Sequence, residues 1–135
     1  MKKVNCILLV DDNEADNYYN QYIIQECGIC NHIQVVINGV HALDYLRKAG
    51  EDSKSFPKPD LIILDINMPC MNGFEFLEQY KNLNENLKSN VLIVMLTTSF
   101  NPEDHERAMT FDEVKEYLNK PISGELLQEI TEKYF

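Results

Sequence analysis

Five residues whose types can do chemistry stand where apolar runs end, on four separate runs of this chain. Asp11 and Asp12 close the run from Asn5 to Val10, and Asp65 closes the run from Asp60 to Leu64. Thr97 closes Val91 to Leu96, with Thr98 and Ser99 behind it, and Lys120-Pro121 follows Val114 to Leu118. Singly, each has an ordinary reading. An acidic pair caps a helix and favours its dipole, a threonine bonds nearby backbone, and a lysine is solvated. At one rim they form a constellation. Three carboxylates in a crevice repel one another, and more strongly as water is excluded. Hard oxygen ligands suit Mg²⁺, which keeps several waters and needs only a few protein oxygens. Three carboxylates, a divalent cation and the Lys120 ammonium sum to zero. Aspartate is also a nucleophile toward phosphoryl groups, giving an aspartyl phosphate. A metal, a lysine and a hydroxyl donor are what the oxygens of a transferring phosphoryl group need.

The elements must bring those five residues together. Between the apolar runs lie segments of helical spacing. Glu14 to Cys27 carries Ala15, Tyr19, Tyr22 and Ile23, with Gly28 where a helix C-cap belongs. His32 to Ile37 reads as a second strand and Val40 to Lys48 as a short helix with Leu43, Tyr45 and Leu46. Ala49 to Pro59 is polar, carries two prolines and reads as a surface loop. After Asp65, the loop from Asn67 to Gly73 leads to a helix with Phe74, Leu77 and Tyr80. Asn101-Pro102 reads as an N-cap with proline at the first helical position. Pro121 and Ser123 open a last helix with Ile122, Leu126, Leu127 and Ile130 on one face. Strand and helix alternate five times, and the strands lack a polar face. That pattern predicts an α/β domain, a doubly wound five-stranded parallel sheet with five helices. In such sheets the ligand crevice lies at the carboxyl ends of the strands, where the five residues stand.

Length and composition agree. The 135 residues suit one domain over 1–135, with 44% hydrophobic and 25% charged residues. With 12 basic against 22 acidic residues the net charge is -10, which argues against nucleic acid or an anionic membrane as partner. No apolar run can span a bilayer. Met1-Lys2-Lys3 followed by Val4 to Val10 looks like a signal peptide, but Asp11 and Asp12 interrupt it and no small-residue cleavage site follows. A cytoplasmic protein is expected, with Cys6, Cys27, Cys30 and Cys70 as free thiols. Cys27-Gly-Ile-Cys30 with His32 suggests zinc or a redox pair, but it lies at a helix end and lacks a second Cys pair. His41 and His105 have no nucleophile partner in the pattern, so no Ser/His/Asp triad can be argued.

The set Asp11-Asp12, Leu64-Asp65-Ile66-Asn67-Met68-Pro69-Cys70-Met71-Asn72-Gly73, Thr97 and Tyr117-Leu118-Asn119-Lys120-Pro121 resembles the receiver domain of two-component response regulators. The resemblance spans the chain from first strand to last helix, and the Asp-x-x-Met-Pro-x-Met-Asn-Gly stretch is its specific part. It implies the flavodoxin-like receiver fold. It implies Asp65 as phosphoacceptor, Asp12 as direct Mg²⁺ ligand, Asp11 acting through water, and the Asn67 carbonyl completing the protein's share of the shell. Lys120 would pair with the phosphoryl group and Thr97 would donate to it. Tyr117 matches an aromatic that changes rotamer on activation, and Pro121 a proline whose preceding peptide is typically cis. The implied partners are a sensor histidine kinase or histidine phosphotransfer protein upstream and a protein target downstream. The long loop before the third strand resembles lone receivers serving phytochrome-type kinases. Since the last helix reaches the end of the sequence, a lone chemotaxis-type receiver without output domain is expected. It would promote its own phosphorylation and dephosphorylation without being a turnover enzyme. Thr98 departs from the pattern, which usually has a smaller residue there.

Two rival readings exist. An Mg²⁺-dependent phosphatase with an aspartyl nucleophile places a second carboxylate two residues on, where this chain has Asn67, which cannot protonate a leaving group. A flavodoxin-like cofactor binder needs a phosphate-cradling loop after the first strand, where the acidic pair would repel phosphate.

Overall fold

The structure, a computed structural model, describes residues 4–68, 70–88, 91–98 and 101–135. Pro69 of the loop motif, Ser99 and the lysine-bearing start lie outside the described residues. Strands β1 (Val4–Val10), β2 (Cys30–Val36), β3 (Leu61–Asp65), β4 (Leu92–Thr97) and β5 (Val114–Asn119) form one parallel sheet in the order β2-β1-β3-β4-β5. Helices α1 (Glu14–Cys27), α2 (Gly39–Glu51), α3 (Gly73–Tyr80), α4 (Glu85–Lys88), α5 (Pro102–Met109) and α6 (Gly124–Tyr134) make the connections. Among the described residues no helix is long and apolar enough to cross a membrane.

The sheet buries two unlike layers. One holds Leu8, Leu64 and Met95 with the aromatics Tyr45, Phe74, Phe76, Tyr80, Phe111 and Tyr117. The other holds Ile7, Leu9, Ile63 and Leu96 with Ile24, Leu127 and Ile130, and its buried members are aliphatic apart from Cys30. Adjacent residues of β1, β3 and β4 enter opposite layers, so both faces are covered and the strands need no polar side.

Four local features differ from the sequence reading. Among the described residues there are six helices rather than five. The extra one, α4, is a single turn with no buried residue, so no apolar periodicity announces it. Its backbone is tied down instead by Lys58, whose Nζ donates to the Asn86 carbonyl at 3.1 Å. Helix α2 runs three residues past Lys48, because Ala49 packs into the core. Helix α1 has the expected bounds but turns a different side inward. Asn17, Asn20 and Ile24 are buried and Ile23 packs partly against the aliphatic layer as expected, while Ala15, Tyr19 and Tyr22 face outward. The Asn17 amide donates to the Asp11 carbonyl at 2.8 Å, a bond that keeps a polar side chain inside. The fourth feature is a bulge in β5. Ile93 pairs with Val114 but Val94 pairs with Glu116, which leaves Lys115 as an extra residue. The slip puts both Val114 and Tyr117 into the aromatic layer, although they stand an odd three positions apart.

Candidate functional site

At the carboxyl rim, β1 and β3 are neighbours, and their ends bring the acidic residues together. One carboxylate oxygen from each of Asp11, Asp12 and Asp65 lies within 4.8 Å of the others. Asp11 and Asp65 are buried and Asp12 is exposed. Asp11 is fixed from several sides. Its carboxylate accepts the Asn13 amide at 2.9 Å, and its own amide donates to Val36. Asn13 in turn caps α1 by accepting from the Asp16 amide.

Asp65 is placed by the start of α3. Asn72 and Glu75 form a reciprocal capping box, and the Gly73 amide donates to the Ile66 carbonyl at 2.8 Å. A Cβ on Gly73 would stand 2.9 Å from the Asp65 carbonyl oxygen and 3.0 Å from the Ile66 Cα, so the close approach demands glycine. Cys70, in the same loop, takes φ 67°, the left-handed region that costs a non-glycine residue roughly 1–2 kcal/mol. Asn67 is exposed two residues beyond Asp65.

Lys120 reaches this cluster from β5, past the end of β4. The Thr97–Asn119 pairing and a 2.8 Å bond from the Lys120 amide to the Thr97 carbonyl set its backbone. The Lys120–Pro121 peptide is cis, as the resemblance implies. Its Nζ donates to Asp11 Oδ2 at 2.8 Å and to Asp16 Oδ2 at 2.8 Å, and lies 3.2 Å from Asp65 Oδ1. Burial alone would lower the ammonium's pKa, but the hydrogen bonds to Asp11 and Asp16 and the charge of Asp65 carry it above the ordinary value. Burial pushes the Asp65 carboxyl up to about 6, with Asp11 adding to the effect and Lys120 opposing it. A cluster held apart by repulsion and pulled together by one lysine therefore has a donor set of hard carboxylate oxygens, which fits Mg²⁺ rather than a soft metal.

Thr97 is buried at the end of β4, one residue past the partner of Asp65. Tyr117 does not join the carboxylates. Its ring is already inside, 6% exposed, 5.4 Å from the His105 ring and beside the Thr97 side chain. Thr98 is exposed at the rim. Among the described residues no disulfide forms, and His41 is exposed on α2.

Asp16 was missed by the sequence reading. A readable signal existed. Side chains of a helix lean toward its N-terminus, so an acidic residue in the first turn of a helix that leaves the rim points back to it. The capping role of Asn13 fixes that turn.

A family model for the response regulator receiver domain matches residues 7–132. The probable methanogenesis regulatory protein FilR2 of Methanothrix harundinacea is 35% identical over 94% of this chain and 79% of its own length. Among solved structures, a two component response regulator from Cytophaga hutchinsonii superposes with a TM-score of 0.89 at 29% identity, covering 98% of each chain. The phosphorylated cyanobacterial phytochrome response regulator RcpA gives 0.74 at 32% identity, over 96% of this chain and 89% of that one. The match runs through both the acidic rim and the lysine strand, and on that ground the chain belongs to the response regulator receiver domain family, the phosphoryl-accepting signalling modules of two-component systems.

Proposed function

We propose that Asp65 is the residue that takes the phosphoryl group. What supports this most is its carboxylate, buried at the end of β3 and 3.2 Å from Lys120 Nζ in a rim shared with Asp11 and Asp12. The donor is a phosphohistidine on a sensor histidine kinase or a histidine phosphotransfer protein. An Asp65 oxygen attacks phosphorus in line, the O–P bond forms as the P–N bond breaks, and the bonding pair leaves with the imidazole nitrogen. Asp11, Asp12, Asp65 and the Asn67 carbonyl would hold Mg²⁺, which when bound supplies positive charge to the phosphoryl oxygens. Lys120 pairs with a phosphoryl oxygen and the Thr97 hydroxyl donates to another.

Asn67 offers no proton to a leaving group, so the reading is a stoichiometric acceptor that catalyses its own loading and unloading, not a turnover enzyme. Signal output is a change of shape around Tyr117, α5 and α6, read by a downstream protein in the cytoplasm. The similarity to a phytochrome response regulator favours a phytochrome-type kinase as donor.

Incubation with acetyl phosphate and Mg²⁺ followed by intact-mass measurement tests the reading. Wild type should gain one hydroxylamine-labile phosphoryl group and Asp65→Asn none. Undiminished labelling of the variant would overturn it, multiple turnover would favour a phosphatase, and no labelling of either protein would favour a cofactor binder.

A further inference from the structure

Asp16 lies outside the acidic cluster of Asp11, Asp12 and Asp65, yet it holds the site's only described cationic partner as closely as Asp11 does. We infer that Asp16 is a positioning residue that competes with the phosphoryl group for Lys120 and so sets the balance between resting and phosphorylated states. The inference rests on the reading of Asp65 as phosphoacceptor.

Donors are limiting at Lys120. An ammonium has three N–H groups and no more. In the resting molecule two of them are hydrogen bonded, to Asp11 Oδ2 and Asp16 Oδ2, both at 2.8 Å, and the third faces Asp65 Oδ1 at 3.2 Å. A phosphoryl group on Asp65 brings new, strongly accepting oxygens next to this ammonium. The N–H that faces Asp65 can turn to one of them, but Lys120 bonds a second only by releasing Asp11 or Asp16. The choice between its partners is decided by water. The Asp11 side chain is 5% exposed, so water cannot replace the ammonium there without opening the rim. The Asp16 side chain is 38% exposed and can be rehydrated where it stands. Asp16 is therefore the contact that yields.

A contact present in one state and lost in the other biases the equilibrium toward the first. Asp16 thus stabilises the resting site. It also changes the charge count. Four carboxylates against a divalent cation and one ammonium sum to -1, not zero, before any phosphoryl group arrives.

The test is equilibrium titration with beryllofluoride, a phosphoryl mimic, at fixed saturating Mg²⁺, read by NMR of the full chain. Asp16→Asn keeps the size of the side chain and removes its charge from an exposed first turn. The mimic should bind roughly three- to fivefold more tightly to this variant, as expected for losing a half-exposed ion pair, and Asp16→Ala should bind at least as tightly as Asp16→Asn. Glu14→Gln removes the same charge from the same helical turn, where Glu14 is exposed and is not among the partners of Lys120. It should leave the affinity within about twofold. Unchanged or weaker binding to Asp16→Asn overturns the inference. So does an equal gain in Glu14→Gln, which would make the effect one of general charge rather than of Lys120. Failure of the underlying reading looks different, because wild type would then bind no beryllofluoride, or Asp65→Asn would bind it equally well.

Discussion

Asp65 and Tyr117 stand on strands separated only by β4, yet their neighbours are of different kinds. Around Asp65 the structure is tied by charge. Asp11, Asp16 and Asp65 arrive from a strand end, a helix turn and another strand end, and one ammonium from β5 holds all three. Around Tyr117 the structure is tied by rings. His105 lies 5.4 Å from it, Arg107 sits 4.3 Å above Phe74, and α5 buries only Ala108. The first region has no slack, since removing its single cation leaves buried anions facing each other. The second rests on many weak contacts under a helix with a small apolar footing, which is the low-stability end of a fold. On the proposed reading, chemistry falls to the part that charge makes rigid, and the response to the part that packing leaves adjustable.

The largest expected effect comes from breaking the charged side. Lys120→Met should lower stability in the absence of Mg²⁺ by about 3 kcal/mol, the loss seen when one partner of a buried ion pair is removed. On the ring side, Tyr117→Phe should cost no more than about 1 kcal/mol. Urea unfolding of both variants in chelator measures the contrast, and equal losses would dissolve the distinction between the two regions.

Mg²⁺ should act on the charged side alone. At a hundredfold excess over its dissociation constant it adds about 2.7 kcal/mol, or roughly 9 °C in Tm for a chain of this size. Asp12→Asn should remove most of that rise, whereas His105→Ala should leave it intact. A Tm that does not respond to Mg²⁺ beyond an ionic-strength control would show that the carboxylates hold no metal.

A somewhat smaller effect belongs to the hinge between chemistry and scaffold. Gly73→Ala drives a methyl group against the Asp65 carbonyl oxygen 2.9 Å away. Backbone at the end of β3 must shift, at a cost of roughly 2 kcal/mol, and phosphoryl acceptance should fall with it. Full acceptance at reduced stability would mean that the end of β3 tolerates the shift.

What could be read from the sequence follows the same division. Asp11, Asp12, Asp65 and Lys120 end apolar runs, and a parallel sheet delivers strand ends to one rim, so their meeting was legible. The fold was legible for the same reason, since β3 is buried along its whole length and shows it as unbroken apolar residues. Helix α4 was not, because it buries nothing. The inward face of α1 was not, because Asn17 is held inside by a hydrogen bond rather than by hydrophobicity. Nor was the position of Tyr117, which depends on the extra residue Lys115 in β5, and a bulge leaves no mark in an apolar pattern. Asp16 was hidden differently: its helix turn was legible, but its partner lies 104 residues away.

The subtlest expected effect crosses from one region to the other. Phosphorylation replaces a carboxylate with a group carrying nearly two negative charges, so the rim gains about one. Lys120 is anchored to the Thr97 carbonyl through its own amide at 2.8 Å, and the Thr97 side chain lies beside Tyr117. Thr97 is thus the residue that touches both sides. Its hydroxyl should turn toward the new oxygens and leave the space it shared with the phenol. Since Tyr117 is already inside, the expected response is a change in the packing of a buried ring against His105 rather than entry from solvent. Both packings must lie within a few kcal/mol of each other for one added charge to choose between them. Side-chain NMR of Tyr117 with and without beryllofluoride should show a shift in wild type. In Thr97→Ala the mimic should still bind, more weakly, and the Tyr117 shift at saturation should shrink. An equal shift at saturation in both proteins would mean that the two regions communicate by another route, with the His105 contact and α5 as the place to look.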